Sequence, residues 1–354
     1  MKSSISPDLP INKRPIVIIG AGGIVGDAHL PAYRKAGFKV NAIYDLNINK
    51  ACKLATTFEI PVVCKDINEL ISIAKRDKCI FDMALPASAI LRVLPLLPDK
   101  SGVLIQKPMG EDIEEAKAIL NLCKKKELVA GINFQLRHAP YIKAAKEMID
   151  NGNIGDLHDI DVRINVLTPW HLWGFLYELP RMEILYNSIH YIDMIRYFLG
   201  NPKRVLAKTT KHPNMPELAN TRSSIIMDYG DFIRANINTN HGHDFGIRHQ
   251  ESYFKFEGTT GAIKIVVGLN LNYPEGLPDQ FEFITTENDQ GWQTLEIEGS
   301  WFPDAFIGTM AGLMKKMENP DYNYINSVED AFCTMEVVEK CYESSAGQEK
   351  NGNY

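Results

Sequence analysis

Apolar residues in the first part of the chain fall in short runs, each followed by a segment with a helical period. Runs of this length and composition are typical of strands buried on both faces of a sheet. They cover residues 15–19, 38–44, 60–64, 80–85, 102–105 and 128–132. The segments 67–75 and 113–126 predict helices, and Ile113, Ala116 and Leu120 form one apolar stripe. This alternation predicts a doubly wound parallel sheet.

The pattern changes after Pro140. Alternating apolar and polar positions follow at 158–167, 223–239, 251–267 and 280–285. The sequence Gly258-Thr-Thr-Gly261 has the composition of a hairpin turn within the third of these stretches. Strict alternation is typical of strands with one buried face. The second half therefore predicts one open, mostly antiparallel sheet.

One helix within this second half carries polar side chains. Residues 183–199 have a helical period that ends at Gly200. On such a helix Glu183, Tyr186, His190 and Asp193 share one stripe, away from the apolar side chains. We interpret this stripe as a candidate active-site face.

A glycine-rich turn joins the first predicted strand to the first helix. It reads Gly20-Ala-Gly-Gly-Ile-Val25, with Gly26 one place later than the last glycine of the G-x-G-x-x-G pattern. Such a turn lets a pyrophosphate approach the helix N-terminus closely. Asp45 ends the second strand, where a carboxylate can accept both ribose hydroxyls. The alternative is a glycine turn without a ligand.

Cofactor choice depends on the residues after Asp45. They are Leu46 and Asn47, and neither offers the arginine that would meet a 2′-phosphate. We therefore expect NAD, with NADP less favoured.

The length of 354 residues exceeds the usual size of one domain. We expect an α/β protein with an NAD-binding Rossmann domain at 13–138. An α+β domain for substrate binding and oligomerisation is expected at 139–346.

Composition narrows the class of partner. The net charge is −6, from 38 basic and 44 acidic residues, which gives no electrostatic footprint for nucleic acid or an anionic membrane. No signal peptide or long apolar stretch stands out, so we expect a cytoplasmic protein. Six scattered cysteines without a Cys-x-x-Cys pair indicate reduced thiols and no metal site.

Short motifs follow one another in a fixed order along nearly the whole chain. They are the glycine turn with Ala28-His-Leu-Pro31, then Ile105-Gln-Lys-Pro108, Asn133-Phe-Gln-Leu-Arg137, Gly152-Asn-Ile-Gly155, the helix with His190 and Asp193, the 258–261 turn, and Val328-Glu-Asp-Ala331. In this order they resemble the Gfo/Idh/MocA family, the glucose–fructose oxidoreductase and inositol dehydrogenase group of NAD(P)-dependent enzymes.

The resemblance implies that a sugar or polyol is oxidised in a cleft between a Rossmann domain and an α/β domain. The sheet of the second domain is often an oligomer face in the family, so a homodimer or homotetramer is expected. The family's lysine maps onto Lys107 and its histidine onto His190. The implied cofactor-binding residues are Gly20, Gly22, Gly23, Ile24, Val25, Asp45, Pro86 and Gln106.

Two positions depart from the family pattern. Gln106 replaces a glutamate that usually touches the nicotinamide ribose, and Tyr186 replaces an aspartate before the histidine. The lead into this helix, Pro180-Arg-Met182, also lacks the family's glycines. These departures indicate a divergent branch, whose substrate is expected to differ from the common hexoses and inositols.

Oxidation of a secondary alcohol requires a base near the hydroxyl proton. His190 fits this role because an imidazole titrates near neutrality, and Glu183 or Tyr186 could orient it. Lys107 would hold the substrate oxygen and stabilise charge on it. The alternatives are a buried structural histidine and a solvated lysine at a strand end.

Further candidates could contact substrate. Trp170 and Trp173 could stack on a sugar ring, as tryptophan faces do. An equal alternative is that these two side chains are buried core aromatics or form an oligomer contact. Arg163 and Arg181 could grip an anionic group or pair with acidic side chains. His241-Gly-His243 has too few ligands for a metal site. The substrate candidates are Trp170, His171, Trp173, Asn187 and Arg163.

Together these features predict an oxidoreductase that transfers a hydride between a sugar, polyol or sugar-derived hydroxyl and NAD. Two alternatives stay open. One is a glycoside hydrolase or lyase that oxidises its substrate transiently with bound NAD. The other is a non-catalytic NAD-binding sensor.

Overall fold

The structure is a computed structural model that describes residues 8–286 and 290–347 in full and the backbone of residues 2–3. The contacts divide the chain into two compact units. The first contains residues 8–139 and Trp301–Met335. The second contains Pro140–Ser300, residues 336–347 and the short strand β1 (Lys2–Ser3).

The first unit is built on a parallel sheet with the strand order β4-β3-β2-β5-β6-β7. The strands are β2 (Ile16–Ile19), β3 (Val40–Tyr44), β4 (Val62–Val63), β5 (Ile80–Met83), β6 (Gly102–Ile105) and β7 (Val129–Ile132). Every residue of β2, β5 and β6 is buried, which explains why these strands are apolar apart from Asp82 in β5. The predicted doubly wound sheet is confirmed.

Helices connect these strands. They are α1 (Leu30–Ala36), α2 (Ile48–Phe58), α3 (Ile67–Asp77), α4 (Ala87–Val93) and α5 (Ile113–Lys125). The side chain of Asp66 caps α3 by accepting from the amides of Asn68 and Glu69, and Asp112 caps α5 through the amide of Glu115. Before α1 the chain makes a π-helical turn, Val25–His29.

The second unit begins with α6 (Pro140–Asp150) and is built on a sheet with the order β15-β14-β13-β12-β8-β11-β10-β9. Its strands are β8 (Leu157–Asn165), β9 (Arg204–Thr210), β10 (Arg222–Asp228), β11 (Arg234–Asn240), β12 (Glu251–Gly258), β13 (Gly261–Val266), β14 (Gln280–Thr285) and β15 (Gln293–Thr294). Neighbours are antiparallel except β8 and β11, so the mostly antiparallel sheet is confirmed. The short strand β16 (Glu296–Ile297) pairs with β1.

Two details of this sheet differ from the sequence prediction. The stretch 223–239 is two strands, because the chain turns after β10 at Gly230, whose φ of 103° suits glycine. Strand β9 was not predicted, because only one of its residues, Val205, is fully buried and its pattern is weak. The hairpin at Gly258 and Gly261 is confirmed by their pairing between β12 and β13.

The sheet has one buried and one open face. In β8 the side chains of Ile160, Val162 and Ile164 are buried, whereas those of Asp159 and Arg163 lie on the other face. This alternation decides which polar residues of the strands can share a site.

The predicted helix at 183–199 has two parts. A π-helical turn, Ile184–Ser188, leads into α7 (Ile189–Leu199), which ends at Gly200 as expected. The predicted stripe places Glu183 and Asp193 on the same face, and this holds only if residues 183–193 form one continuous α-helix. The π turn interrupts that period, because its bonds join residues five apart.

Two further helices follow within residues 301–347. α8 (Asp304–Glu318) was not predicted, and Phe306, Met310 and Leu313 of this helix lie in the core of the first unit with Ile18 and Tyr33. The contacts thus group 301–335 with the Rossmann sheet, and the division at residue 138 stays a prediction. The last helix is α9 (Val328–Ser345). No helix in residues 8–286 and 290–347 is long and apolar enough to cross a membrane.

Candidate functional site

The first glycine of the turn is required by the backbone. Gly20 has a φ of 106°, and a Cβ there would lie 2.3 Å from the carbonyl oxygen of Ala84. The amide of Gly20 donates to Tyr44 O at 2.7 Å, which joins the turn to the end of β3. Only glycine fits this close approach.

Packing does not explain the next glycines. Apart from the glycine and its immediate neighbours along the chain, no atom of the described residues lies within 4 Å of the position that a Cβ of Gly22 would take, and at Gly23 the nearest is a carboxylate oxygen of Asp27 at 3.5 Å. The space beside Gly22 is therefore open at a helix N-terminus, where backbone amides favour an anion. These residues fit the pyrophosphate of a dinucleotide.

The late glycine has a structural explanation. Ile24 precedes the π turn Val25–His29, and Val25 is fully buried. A Cβ on Gly26 would lie 2.9 Å from Leu54 Cδ2 of α2, so Gly26 permits the close packing that the third glycine normally provides. A π turn holds one residue more than an α turn and so accommodates the shifted spacing.

Asp45 is held at the end of β3. Its Oδ2 accepts from the amide of Ala21 at 2.7 Å, and its Oδ1 accepts from the amide of Asn47 at 2.7 Å. Each carboxylate oxygen can accept a further hydrogen bond. Asp45 is thus fixed against the glycine turn and still suited to a ribose diol.

The carboxyl ends of β5 and β6 carry the other predicted residues of this unit. Pro86 is exposed and precedes α4. Gln106 is half-buried, and its Oε1 accepts from the amide of Lys107 at 3.3 Å. Lys107 is also half-buried by solvent exposure, and desolvation of its amino group lowers its pKa to about 8. Ligands of open α/β sheets bind outside these strand ends.

A buried polar network lies next to the glycine turn and was not predicted from the sequence. Asp82 Oδ2 lies 2.7 Å from His29 Nδ1 and accepts from Tyr33 Oη at 2.8 Å. His29 Nε2 lies 3.4 Å from Asn133 Nδ2, and Asn133 Oδ1 accepts from Thr309 Oγ1 at 2.9 Å. A charged residue inside the apolar run 80–85 was the available signal. The network ties the π turn to β5.

In the second unit Glu183 is fully buried and anchors a polar cluster. Its Oε1 accepts from Ser188 Oγ at 2.7 Å and lies 3.4 Å from His241 Nε2, while its Oε2 accepts from Ser223 Oγ. Burial raises the pKa of Glu183, but His241 and the two hydroxyls outweigh it, so the pKa lies below its ordinary value. The pairing of Glu183 with His190 stays a prediction.

The other residues of the predicted stripe, Tyr186, His190 and Asp193, differ in their exposure. His190 is 7% exposed in the first turn of α7, and Asp193 is fully buried. Tyr186 and Asn187 lie within the π turn and are half-buried. The Tyr186 ring contacts Phe175 edge-on, with centroids 5.9 Å apart.

The segment 170–173, which contains Trp170 and Trp173, has both buried and exposed side chains. Trp170 is 4% exposed in a small core with Leu176 and Met182, and its ring contacts His241. Trp173 is half-buried and packs on Tyr273, with ring centroids 5.7 Å apart, whereas His171 is exposed. Trp170 is thus a buried aromatic, whereas Trp173 and His171 are more accessible, and contact of these three residues with a sugar stays a prediction.

Both candidate arginines contact acidic side chains of this chain. Arg163 Nε lies 3.1 Å from Glu251 on the open face of the sheet, opposite the face that carries Ser223 and Glu183. Arg181 makes two hydrogen bonds of 2.7 Å to Glu339. The structure does not bring Arg163 together with the Glu183 cluster.

All six cysteines are free. Within the described ranges no three His, Cys, Asp or Glu side chains are placed to hold a metal ion. His241 Nδ1 lies 2.8 Å from Thr168 Oγ1, and His243 Nδ1 lies 3.3 Å from Asn165.

The parallel sheet and the glycine turn define a protein with a dinucleotide-binding domain. Residues 14–134 match the family model for the oxidoreductase NAD-binding Rossmann fold, and residues 146–350 match the model for the C-terminal alpha/beta domain of the same family. The chain belongs to the Gfo/Idh/MocA family of oxidoreductases, and its first domain is an NAD-binding Rossmann domain.

Curated relatives are distant. The oxidoreductase YceM of Salmonella typhimurium is 25% identical over 55% of this chain, and the match spans only 59% of YceM. Glucose-6-phosphate 3-dehydrogenase of Bacillus subtilis is 22% identical over 95% of this chain and 97% of its own length. At this identity substrate and partners do not transfer directly.

A solved structure shares the fold. Levoglucosan dehydrogenase in complex with NADH and levoglucosan aligns with a TM-score of 0.78 at 19% identity. The alignment covers 95% of this chain and 98% of that one.

Proposed function

We propose that this protein is an NAD-dependent dehydrogenase that oxidises a secondary hydroxyl of a sugar, polyol or sugar-derived molecule. The observation that carries the proposal is Lys107, a lysine at the carboxyl end of a parallel strand whose pKa burial lowers to about 8. A cation there can hold an electron-rich oxygen and gives up its proton near neutral pH. Family membership supports the reaction class.

The cofactor proposal rests on the glycine turn and Asp45. Gly20 to Val25 would hold the pyrophosphate, and Asp45 would accept from the adenosine ribose. A 2′-phosphate would meet the Asp45 carboxylate as a like charge, which favours NAD over NADP. Pro86 and Gln106 are proposed at the nicotinamide end. When bound, NAD supplies the acceptor for the hydride that leaves the carbinol carbon.

Proton transfer is assigned to the second unit. His190 would take the hydroxyl proton, and Lys107 would stabilise the oxygen as it becomes a carbonyl. Tyr186 carries a phenol, which would donate a hydrogen bond to substrate where the family carries a negative charge. Asn187, His171 and Trp173 are proposed at the substrate rim.

The open face of the second sheet supports a proposal of homo-oligomers. Leu206 and Ile226 are opposite each other on β9 and β10, and they are 40% and 50% exposed on this face. A larger contiguous patch of exposed apolar surface would mark a protein contact, and this pair is a candidate centre of such a patch. The names of the relatives do not favour the two alternatives, a hydrolase or lyase with transient oxidation and a non-catalytic NAD-binding sensor. A cytoplasmic location stays a prediction.

Variants of the two proposed catalytic residues test the assignment. Lys107→Ala and His190→Ala should bind NAD within about 3-fold of wild type, because neither touches the adenosine half, while kcat falls by about 10²–10⁴. Calorimetric titration of NAD and steady-state kinetics on the best substrate measure both quantities.

The matched controls are Lys100→Ala and His249→Ala, which remove exposed side chains. Both should keep wild-type kcat. A Lys107 or His190 variant with wild-type turnover would remove that residue from the mechanism.

A further inference from the structure

Glu183 is held from three separate segments. Ser188 donates to it from the end of the π turn, Ser223 donates from β10, and His241 approaches from the residue after β11. The amide of Glu183 donates to Asn220 Oδ1 at 2.8 Å. A fully buried carboxylate with this many contacts has one fixed position.

His241 is equally constrained. Its Nδ1 bonds Thr168 Oγ1 at 2.8 Å, its amide donates to Thr221 O at 3.0 Å, and its carbonyl accepts from the amide of Thr168 at 3.1 Å. The ring lies edge-on to Trp170 with centroids 5.3 Å apart. With Nδ1 engaged, Nε2 is the nitrogen directed at Glu183.

The Glu183–Ser188 hydrogen bond spans the π turn. Its partners are five residues apart, which is the spacing of the π-helical bond and not of an α-helical one. Tyr186 lies inside this turn and His190 directly follows it. The orientation of both side chains therefore depends on the turn keeping its π conformation.

A purely structural role would not require a charge here. Taking a carboxylate such as that of Glu183 out of water costs free energy in desolvation, and well-packed apolar side chains of similar volume are often as stable or more stable. π turns are frequent at functional sites. The buried pair therefore has its simplest explanation in positioning.

Resting on the proposed function, we propose that His241 and Glu183 are a positioning pair that holds the π turn Ile184–Ser188 and so orients Tyr186 and His190 for reaction. His241 acts on the turn through Glu183 and Ser188. His241 is thus proposed as a positioning residue although it is distant in sequence from the π turn Ile184–Ser188.

Three substitutions separate positioning from stability. Asn at position 241 can retain the Thr168 contact but lacks an atom at the Nε2 position, whereas Gln can reach Glu183. His241→Asn should lower kcat at least 10-fold with little change in KM, since small misplacements are costly in rate. His241→Gln should recover part of this loss, and Glu183→Gln should resemble His241→Asn.

Amide hydrogen exchange provides a readout without substrate. Exchange at residues 184–190 should be at least 10-fold faster in His241→Asn and Glu183→Gln, with the C-terminal half of α7 unchanged. His249→Asn, which alters an exposed histidine, is the matched control and should change neither exchange nor kcat.

The outcomes are distinct. Unchanged exchange in both variants would show that the pair does not hold the turn and would overturn the inference. Faster exchange with wild-type kcat and KM would also overturn it, because the turn would then be irrelevant to reaction. If wild-type protein oxidised no sugar or polyol, the proposed function would fail, and exchange alone would still decide whether the pair holds the turn.

Discussion

At the scale of one residue, Lys107, which we propose holds the substrate oxygen, also has a destabilising property. Burial lowers its pKa to about 8, from an ordinary value of 10.5. Below pH 8 the folded protein therefore carries a desolvated cation, which opposes folding. Such a cost is expected where a charge serves reaction and not stability.

This cost predicts a pH-dependent difference in stability. Lys107→Met should unfold at a higher temperature than wild type at pH 7. Between pH 8 and 10.5 the unfolded wild-type chain still holds a proton that the folded protein has released, so wild-type stability rises relative to the variant. Thermal unfolding across this range measures the difference. Lys100→Met, at an exposed site, is the control, and a difference independent of pH would contradict the assignment.

At the scale of elements, the glycine turn separates folding from ligand binding. Gly20 is needed by the backbone, whereas the space beside Gly22 is open. The same substitution at these two positions should therefore have opposite effects.

Gly20→Ala should lower the free energy of unfolding by about 1–3 kcal/mol or more, because of its positive φ and the clash with Ala84. Gly22→Ala should change it by less than about 0.5 kcal/mol yet weaken NAD binding at least about 10-fold. Chemical denaturation and NAD titration test the pair. Normal NAD affinity in Gly22→Ala would show that the open space is not the cofactor cradle.

Elements with a strong period could be predicted from sequence, and irregular turns could not. The buried strands β2, β5 and β6 and the hairpin after β12 lie where the pattern places them. Neither π turn was predicted, because a π turn has no characteristic composition. It is recognised only from the contacts of residues such as Gly26 and Ser188. The Glu183 partners escaped for a related reason, because Ser223 and His241 are distant in sequence.

At the scale of the whole molecule, chain order does not equal spatial order. The segment Trp301–Met335 follows the second sheet in sequence but groups with the first unit, where α8 packs in its core. Tertiary packing decides this grouping, and an amphipathic pattern alone cannot. The motif order, in contrast, sufficed to predict the family, and the two family models confirm it.

The most direct test of the central claim is a dehydrogenase assay of the wild-type protein against a panel of sugars, polyols and sugar acids, run in parallel with NAD and NADP. Absorbance of the reduced cofactor reports turnover. We predict oxidation of at least one panel member, with a kcat/KM higher with NAD than with NADP because of Asp45. Equal or faster reaction with NADP would contradict the cofactor assignment, and no reduction of either cofactor by any member would contradict the proposed function.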